Sequence, residues 1–266
     1  MEHIQQEHII AAAQAGGEVI AGYFGQALDI QEKSRASDFR TVADTDAEQA
    51  ILKQLTHHYP NINIYAEESG ITDHGSPLTF VIDPLDGSNN FMLNIPNFSS
   101  SIALMLGDRT ILGVVHNPML GHTYWARENG GAYLRQGSGA DMRETRLSVN
   151  REAAMGRATI ALACGYHVPT TFDETVARQL NNQDVKRLTR QWSPAYDHCL
   201  LAAGRIEGII NEQSDVYDYA AGKLIAREAG ARITGYDGQP APDTHNQFVA
   251  SNGTALHDAL LQAVTL

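Results

Sequence analysis

The sequence predicts a layered α/β (α+β) fold with mixed and antiparallel sheets, built as a single compact domain over residues 1–266. Three observations predict it. Residues 63–134 carry a series of short apolar strands joined by hairpin turns. After about residue 150, strands alternate with helices, which is typical of layered packing. The 266 residues are 43% hydrophobic and contain no internal repeat or long linker, so they can bury a continuous core.

The N-terminal half, about residues 1–150, is expected to begin with two helices and to continue as an antiparallel meander. Apolar residues at near-helical spacing predict a first helix over 9–25. A second helix is expected over 44–57, since Asp44 or Thr45 can begin it and Pro60 stops it. Turns at 107–108 and 118–121 predict two hairpins. The predicted strands are 63–66, 79–82, 99–106, 111–116, 123–126 and 131–134.

The C-terminal half, about residues 151–266, is expected to alternate strands with helices. The predicted strands are 158–163, 206–210, 231–234 and 248–251. The predicted helices are 171–180, 194–203, 219–229 and 254–263.

Composition and charge restrict the classes of function. The chain has 19 Lys and Arg against 31 Asp and Glu, a net charge of −12, so no nucleic-acid partner is expected. Residues 9–25 lack the positive flank of a signal peptide and are shorter than the roughly 20 residues that span a bilayer, so no membrane association is expected. Cys164 and Cys199 are too few for a disulfide scaffold. We expect both to be buried in a reduced, cytoplasmic protein.

The most informative segment is TFVIDPLDGSNNF, residues 79–91. An apolar strand delivers Asp83 to its end, and Asp86 follows three residues later. Two carboxylates with a backbone carbonyl between them suit a hard, oxygen-ligated cation such as Mg²⁺. Gly87 permits a close turn, and Ser88 suits the start of a short helix whose free N–H groups could bind phosphate.

This segment has three other interpretations. An ordinary Asp-rich turn satisfying its own backbone stays open for the segment alone. A haloacid-dehalogenase-type phosphatase needs an acid two residues after Asp83, but Leu85 occupies that position, so this interpretation fails. An EF-hand loop that begins at Asp83 needs oxygen ligands at the positions of Leu85 and Gly87 and a Glu at the position of Asn94, so this interpretation fails as well.

Further acidic groups occur elsewhere in the chain. Each has an ordinary explanation, either a solvated surface pair or the N-terminus of a helix. The groups are Glu67-Glu68, then Asp38, Asp44, Asp46 and Glu48, and finally Asp215 with Asp218.

Taken together, these motifs resemble those of the inositol monophosphatase family of magnesium-dependent, lithium-sensitive phosphatases. The matching segments are EESG at 67–70, DPLDGSNNF at 83–91 and DYAAG at 218–222. Weaker matches are Lys33 with the following DFRT and Asp44, GVVHNP at 113–118, and GGAYLR at 130–135. The likeness extends in unbroken order from about residue 5 to residue 260. It implies the family's fold, a sugar-phosphatase-type αβαβα sandwich.

The resemblance implies a site with two Mg²⁺ ions and a weaker third. The implied ligands are Glu67, Asp83, the carbonyl of Leu85, Asp86 and Asp218. Asp83 would bridge the two main ions, while Glu67 and Asp44 would help to bind the third through water.

The resemblance also implies how phosphate and water are handled. The N–H groups of Gly87 and Ser88 would bind phosphate oxygens. The Ser88 hydroxyl, paired with Asp44, would orient or deprotonate the attacking water. With Glu67, these two side chains form the implied catalytic set.

The chain departs from the family where the alcohol part of the substrate should bind. The family's Gly-Ser-Ala-Ala stretch is Trp192-Ser193-Pro194-Ala195 here. A ring-binding Glu is replaced by Asn211, with Glu212 beside it. We expect Trp192, Ser193, Asn211 and Glu212 to contact the substrate.

The implied function is hydrolysis of a small-molecule phosphate ester of a polyol or sugar, with inositol monophosphate as the leading substrate. Fructose bisphosphate, histidinol phosphate and phosphoadenosine phosphate are alternatives within related phosphatases. A non-catalytic metal- or ligand-binding homologue is the alternative from a different class, although every implied ligand is retained. The resemblance further implies a homodimer.

Overall fold

The structure is a computed structural model, and it describes residues 4–29, 31–35, 38–137 and 139–265. Its α-helices are α1 (Gln6–Tyr23), α2 (Val42–His58), α3 (Ser88–Met92), α4 (Thr170–Asn182), α5 (Pro194–Ala202), α6 (Val216–Glu228) and α7 (Leu256–Val264). Short 3₁₀ turns occupy Gly139–Asp141 and Met155–Arg157.

The strands before residue 150 are β1 (Gln31–Arg35), β2 (Asp38–Arg40), β3 (Asn63–Ala66), β4 (Gly70–Thr72), β5 (Leu78–Asp86), β6 (Ser99–Leu106), β7 (Arg109–Asn117), β8 (His122–Arg127), β9 (Gly131–Gln136) and β10 (Arg143–Arg146). Those after it are β11 (Thr159–Cys164), β12 (Arg187–Thr189), β13 (Gly208–Glu212), β14 (Arg232–Gly235) and β15 (Gln247–Ser251).

The strands form two large mixed sheets, and β1 pairs with β2 in a separate ribbon. The larger sheet has the order β10-β9-β8-β7-β6-β5-β3-β4. It is antiparallel except for the β3–β5 pair. The smaller sheet has the order β12-β11-β13-β15-β14, with parallel and antiparallel pairs. The predicted meander, both hairpins and the mixed sheets are therefore confirmed.

The core is divided between the faces of these sheets. Alternate side chains of β5 point to opposite sides, so Phe80 packs with α1 and α2 while Val81 packs with α5 and α6. The smaller sheet buries one face against α5 and α6 and the other against α4 and α7. The resulting order is the αβαβα sandwich that the resemblance implied. Among the described residues, we find no helix with both the length and the apolar character to cross a membrane.

Most differences from the predicted elements occur where the sequence is polar. The second helix begins at Val42 rather than 44, because Thr41 is its N-cap and accepts a hydrogen bond from the Ala43 N–H. The helix expected over 219–229 begins at Val216, since its first turn is also a capping structure. Strands β1, β2, β4, β10 and β12 were not predicted. They are short and lie at sheet edges or in the separate ribbon, where apolar alternation is not required.

Close packing of α6 on the larger sheet depends on Gly113 of β7. A Cβ at this position would lie 2.7 Å from the carbonyl oxygen of Ala221 and 3.0 Å from its Cα. We expect Gly113→Ala to lower the free energy of unfolding by about 1–3 kcal/mol, because the helix must move away from the sheet. Urea denaturation measures this. Gly22→Ala is the control, since Gly22 is in α1 with open space around it, and unchanged stability of Gly113→Ala would contradict the packing argument.

Candidate active site

The site is built around the end of β5. Asp83 and Asp86 are both buried there, and the sheet register shifts between them. Asp83 Oδ1 accepts a hydrogen bond from the Leu85 N–H at 3.0 Å. Gly87 then takes a left-handed conformation with φ of 95°, and α3 begins at Ser88. The predicted order of strand, turn and short helix is confirmed.

Glu67 reaches this position because β3 runs parallel to β5. Ala66 is the partner of Ile82, and the Glu67 N–H donates to the Ile82 carbonyl at 3.1 Å. The carboxyl ends of the two strands are therefore adjacent, and the side chains of Glu67 and Asp83 are close enough to share a proton. Burial, followed by the negative charges of Glu67, Asp86 and Asp218, raises the pKa of Asp83 well above its usual value.

Asp218 enters the same site from the first turn of α6. Its Oδ2 accepts a hydrogen bond from the Asp215 N–H at 2.9 Å in a capping box. Burial, followed by the charges of Glu67 and Asp86, raises the pKa of Asp218 well above its usual value. The site thus collects carboxylates from both halves of the chain.

Asp86 is held by four donors. The hydroxyls of Ser193 and Ser99 donate to its Oδ2 at 2.6 and 2.9 Å. The N–H of Tyr196 donates to Oδ2 at 3.3 Å, and that of Ala195 donates to Oδ1 at 3.4 Å. Burial raises the pKa of Asp86 to about 6, while the hydrogen bonds act to lower it. Three of these four donors, those of Ser193, Ala195 and Tyr196, belong to the other half of the chain, and they help to orient Asp86.

Asp44 and Ser88 lie beside each other at the Gly87 turn. Asp44 Oδ2 accepts hydrogen bonds from the Thr41 N–H at 2.7 Å and the Thr41 hydroxyl at 2.8 Å. The Ser88 hydroxyl lies 3.3 Å from Asp44 Oδ1 and 3.0 Å from the Leu85 carbonyl oxygen, and it can donate to either. The side chains of Lys33 and Asp38 are outside the part of the chain that the structure describes.

Two of the expected substrate-side residues line the cleft beside Asp86. Trp192 has φ of 52° and is 56% exposed. Ser193 is fully buried, and its hydroxyl donates to Asp86. Both residues border the cleft, although the Ser193 hydroxyl proton is already committed to a carboxylate.

The other two expected substrate-side residues lie inside β13. Asn211 Nδ2 donates to the Asn246 carbonyl at 2.8 Å. Glu212 Oε1 accepts hydrogen bonds from the side-chain amides of Gln213 and Gln247. Neither residue is among the described residues that line the cleft, so their contact with a substrate stays a prediction.

The cleft encloses about 200 Å³ and has an acidic wall. Sequence reasoning missed Asp197, although a single acidic residue in the mostly apolar helix segment PAYDHCLLA is a signal. The expectation that both cysteines are buried is wrong for Cys164, which is exposed on the cleft, whereas Cys199 is buried. The acidic residues that line the cleft are Glu67, Asp83, Asp86, Asp197, Asp215 and Asp218.

The chemistry of this donor set fits a hard cation. Burial, followed by the charges of the neighbouring carboxylates, raises the pKa of Asp83 and Asp218, and the lining residues that are described include no Lys, Arg or His to neutralise them. Within the described ranges, no three His, Cys, Asp or Glu side chains already form a metal-holding group. The carboxylates would have to draw together around an ion.

The layered αβαβα fold and the carboxylate-lined cleft beside a glycine turn agree with the phosphatase class that the sequence motifs implied. The model of the inositol monophosphatase family matches residues 3–265. The chain is 32% identical over 246 residues to Nus factor SuhB of Pasteurella multocida, covering 91% of this chain and 89% of that protein. It is 30% identical over 248 residues to the fructose-1,6-bisphosphatase/inositol-1-monophosphatase of Thermotoga maritima, covering 93% and 91%.

Solved structures give the same result. The crystal structure of the suhB protein from Bartonella henselae superposes with a TM-score of 0.87 at 28% identity, covering 98% of both chains. The chain belongs to the inositol monophosphatase family and is a phosphatase.

Proposed function

We propose that the protein is a Mg²⁺-dependent phosphomonoesterase that hydrolyses a small polyol or sugar phosphate, with inositol monophosphate as its leading substrate. The observation that carries the proposal is the meeting of Glu67, Asp83 and Asp218 beside the Gly87 turn. The name of the Thermotoga maritima relative, which includes inositol-1-monophosphatase, supports the substrate. A homodimer belongs to the same proposal, on the family resemblance.

Five groups of this chain would hold the metal ions: Glu67, Asp83, the Leu85 carbonyl, Asp86 and Asp218. Bound Mg²⁺ would neutralise phosphate charge and lower the pKa of water. Asp83 interacts electrostatically with Glu67, Asp86 and Asp218 alike, which suits a ligand shared by two ions. The hydrogen bonds that Asp86 accepts fix the orientation of its carboxylate.

The residues around the turn would position phosphate and water. The N–H groups at Gly87 and Ser88 open α3, where the first N–H groups have no partner within the helix and suit phosphate oxygens. The Ser88 hydroxyl has one proton and two nearby acceptors, Asp44 Oδ1 and the Leu85 carbonyl. Its lone pairs are therefore available to accept a hydrogen bond from the attacking water. Asp44 would receive the proton, and Glu67 would help to orient the water.

Turnover of inositol 1-phosphate and p-nitrophenyl phosphate with Mg²⁺ tests this proposal. We expect hydrolysis of both with Mg²⁺ and none after treatment with a chelator, restored by adding Mg²⁺. Lithium is expected to inhibit. Full activity in excess chelator would contradict the metal dependence. Binding of inositol 1-phosphate without turnover, measured calorimetrically, would instead support the non-catalytic homologue. Ranking kcat/KM over a panel of phosphate esters then orders the substrates.

A further inference from the structure

Asp197 is an additional carboxylate of the cleft, outside the matching segments at 67–70, 83–91 and 218–222. It lies in the first turn of α5, is only 2% exposed, and borders the cleft. Its Oδ1 accepts a hydrogen bond from Gln191 Nε2 at 2.8 Å. Throughout the described ranges, no other hydrogen bond reaches this carboxylate. Its second oxygen thus has no protein partner.

Keeping this carboxylate buried is unfavourable for the metal-free protein. Burial, followed by the charge of Asp86, raises the pKa of Asp197 well above its usual value, and the single hydrogen bond from Gln191 only partly opposes this. A buried acid without a cation costs free energy of folding. Its position near the N-terminus of α5 compensates only partly, because the donors of that helix end are directed at Asp86. Such a residue at a cleft is a candidate for a functional role.

The rest of the wall has the same sign of charge. Among the described lining residues there is no Lys, Arg or His. Arg190 is next to Gln191 in the sequence, but its guanidinium is already paired with Asp173 at 2.9 Å. A second phosphate on the substrate would therefore face Asp197 without a cationic partner.

Building on the proposed function, we propose that Asp197 is a specificity-determining residue of the alcohol side of the cleft. Its partnerless oxygen accepts a hydrogen bond from a hydroxyl group of the leaving alcohol. Its charge disfavours any ester with a second phosphate. The substrate class is then the phosphomonoesters of uncharged polyols, and bisphosphates are poor substrates.

The test compares wild type with Asp197→Asn on three substrates. These are inositol 1-phosphate, fructose 1,6-bisphosphate and p-nitrophenyl phosphate, whose alcohol has no further hydroxyl. For inositol 1-phosphate we expect kcat/KM to fall about tenfold, mainly through KM, because a charged acceptor is about twice as strong as a neutral one. The loss for p-nitrophenyl phosphate should be much smaller, and the bisphosphate-to-monophosphate ratio should rise. In excess chelator, the Tm of Asp197→Asn should be higher than that of wild type.

Asp258→Asn is the control, because it removes the same charge from an exposed ion pair with Arg232. Equal losses on all three substrates together with a lower Tm would overturn the proposal and make Asp197 a structural residue. Efficient hydrolysis of the bisphosphate by wild type would also overturn it. Failure of the proposed function itself is distinguishable, since wild type would then hydrolyse none of the three substrates with Mg²⁺.

Discussion

Asp83→Asn is expected to abolish measurable turnover while leaving the fold intact. Asp83 is buried at the end of β5, where it interacts electrostatically with Glu67, Asp86 and Asp218. Losing the shared ligand should weaken Mg²⁺ binding by more than about tenfold, on the order of 1.4 kcal/mol. Calorimetric titration with Mg²⁺ and the dependence of activity on Mg²⁺ concentration measure the two effects.

Stability separates loss of a ligand from loss of the fold. Because the Asp83 carboxylate is buried among like charges, Asp83→Asn should keep or raise the Tm of the metal-free protein at pH 7. Asp73→Asn is the matched control, as Asp73 lies in an exposed loop. Near-normal activity of Asp83→Asn at ordinary Mg²⁺ concentrations would show that Asp83 does not bridge two ions.

Ser88→Ala is expected to lower kcat by about 100-fold or more while changing KM little, since a positioned proton-transfer group contributes on that scale. The hydroxyl lies between Asp44 and the Leu85 carbonyl, where it would hold the attacking water rather than the alcohol. Steady-state kinetics on inositol 1-phosphate measure both constants.

The control for this position is Ser88→Thr, which keeps the hydroxyl and should retain most of the activity. A rise in KM alone for Ser88→Ala would lead to a different assignment. The hydroxyl would then bind phosphate directly.

Local features of the site were predictable because neighbouring residues in the sequence produce them. The apolar strand before Asp83 and the left-handed turn at Gly87 follow from side-chain and backbone preferences over a few residues. Asp218 in the first turn of a helix is similarly local. Polar edge strands such as β10 were not predictable, because their residues show no alternation of apolar and polar side chains.

The substrate side was less predictable, since family motifs assign contacts by position alone. Asn211 and Glu212 match a ring-binding position, yet in the structure their side chains bind neighbouring backbone and amide groups inside β13. Asp197 lies outside the quoted motifs and nevertheless borders the cleft. Burial and hydrogen-bond partners, which depend on tertiary packing, decide which side chains border the cleft.

By itself, the sequence determined the layered fold, the order of most strands, the acidic motifs and the family. Only the tertiary structure decided which of these groups meet. Glu67 lies beside Asp83 because β3 pairs in parallel with β5. Ser193 reaches Asp86 across 107 residues of chain. The physical reason is that periodicity and turn preferences act over a few residues, whereas the convergence of side chains depends on strand register and on helix packing between distant segments.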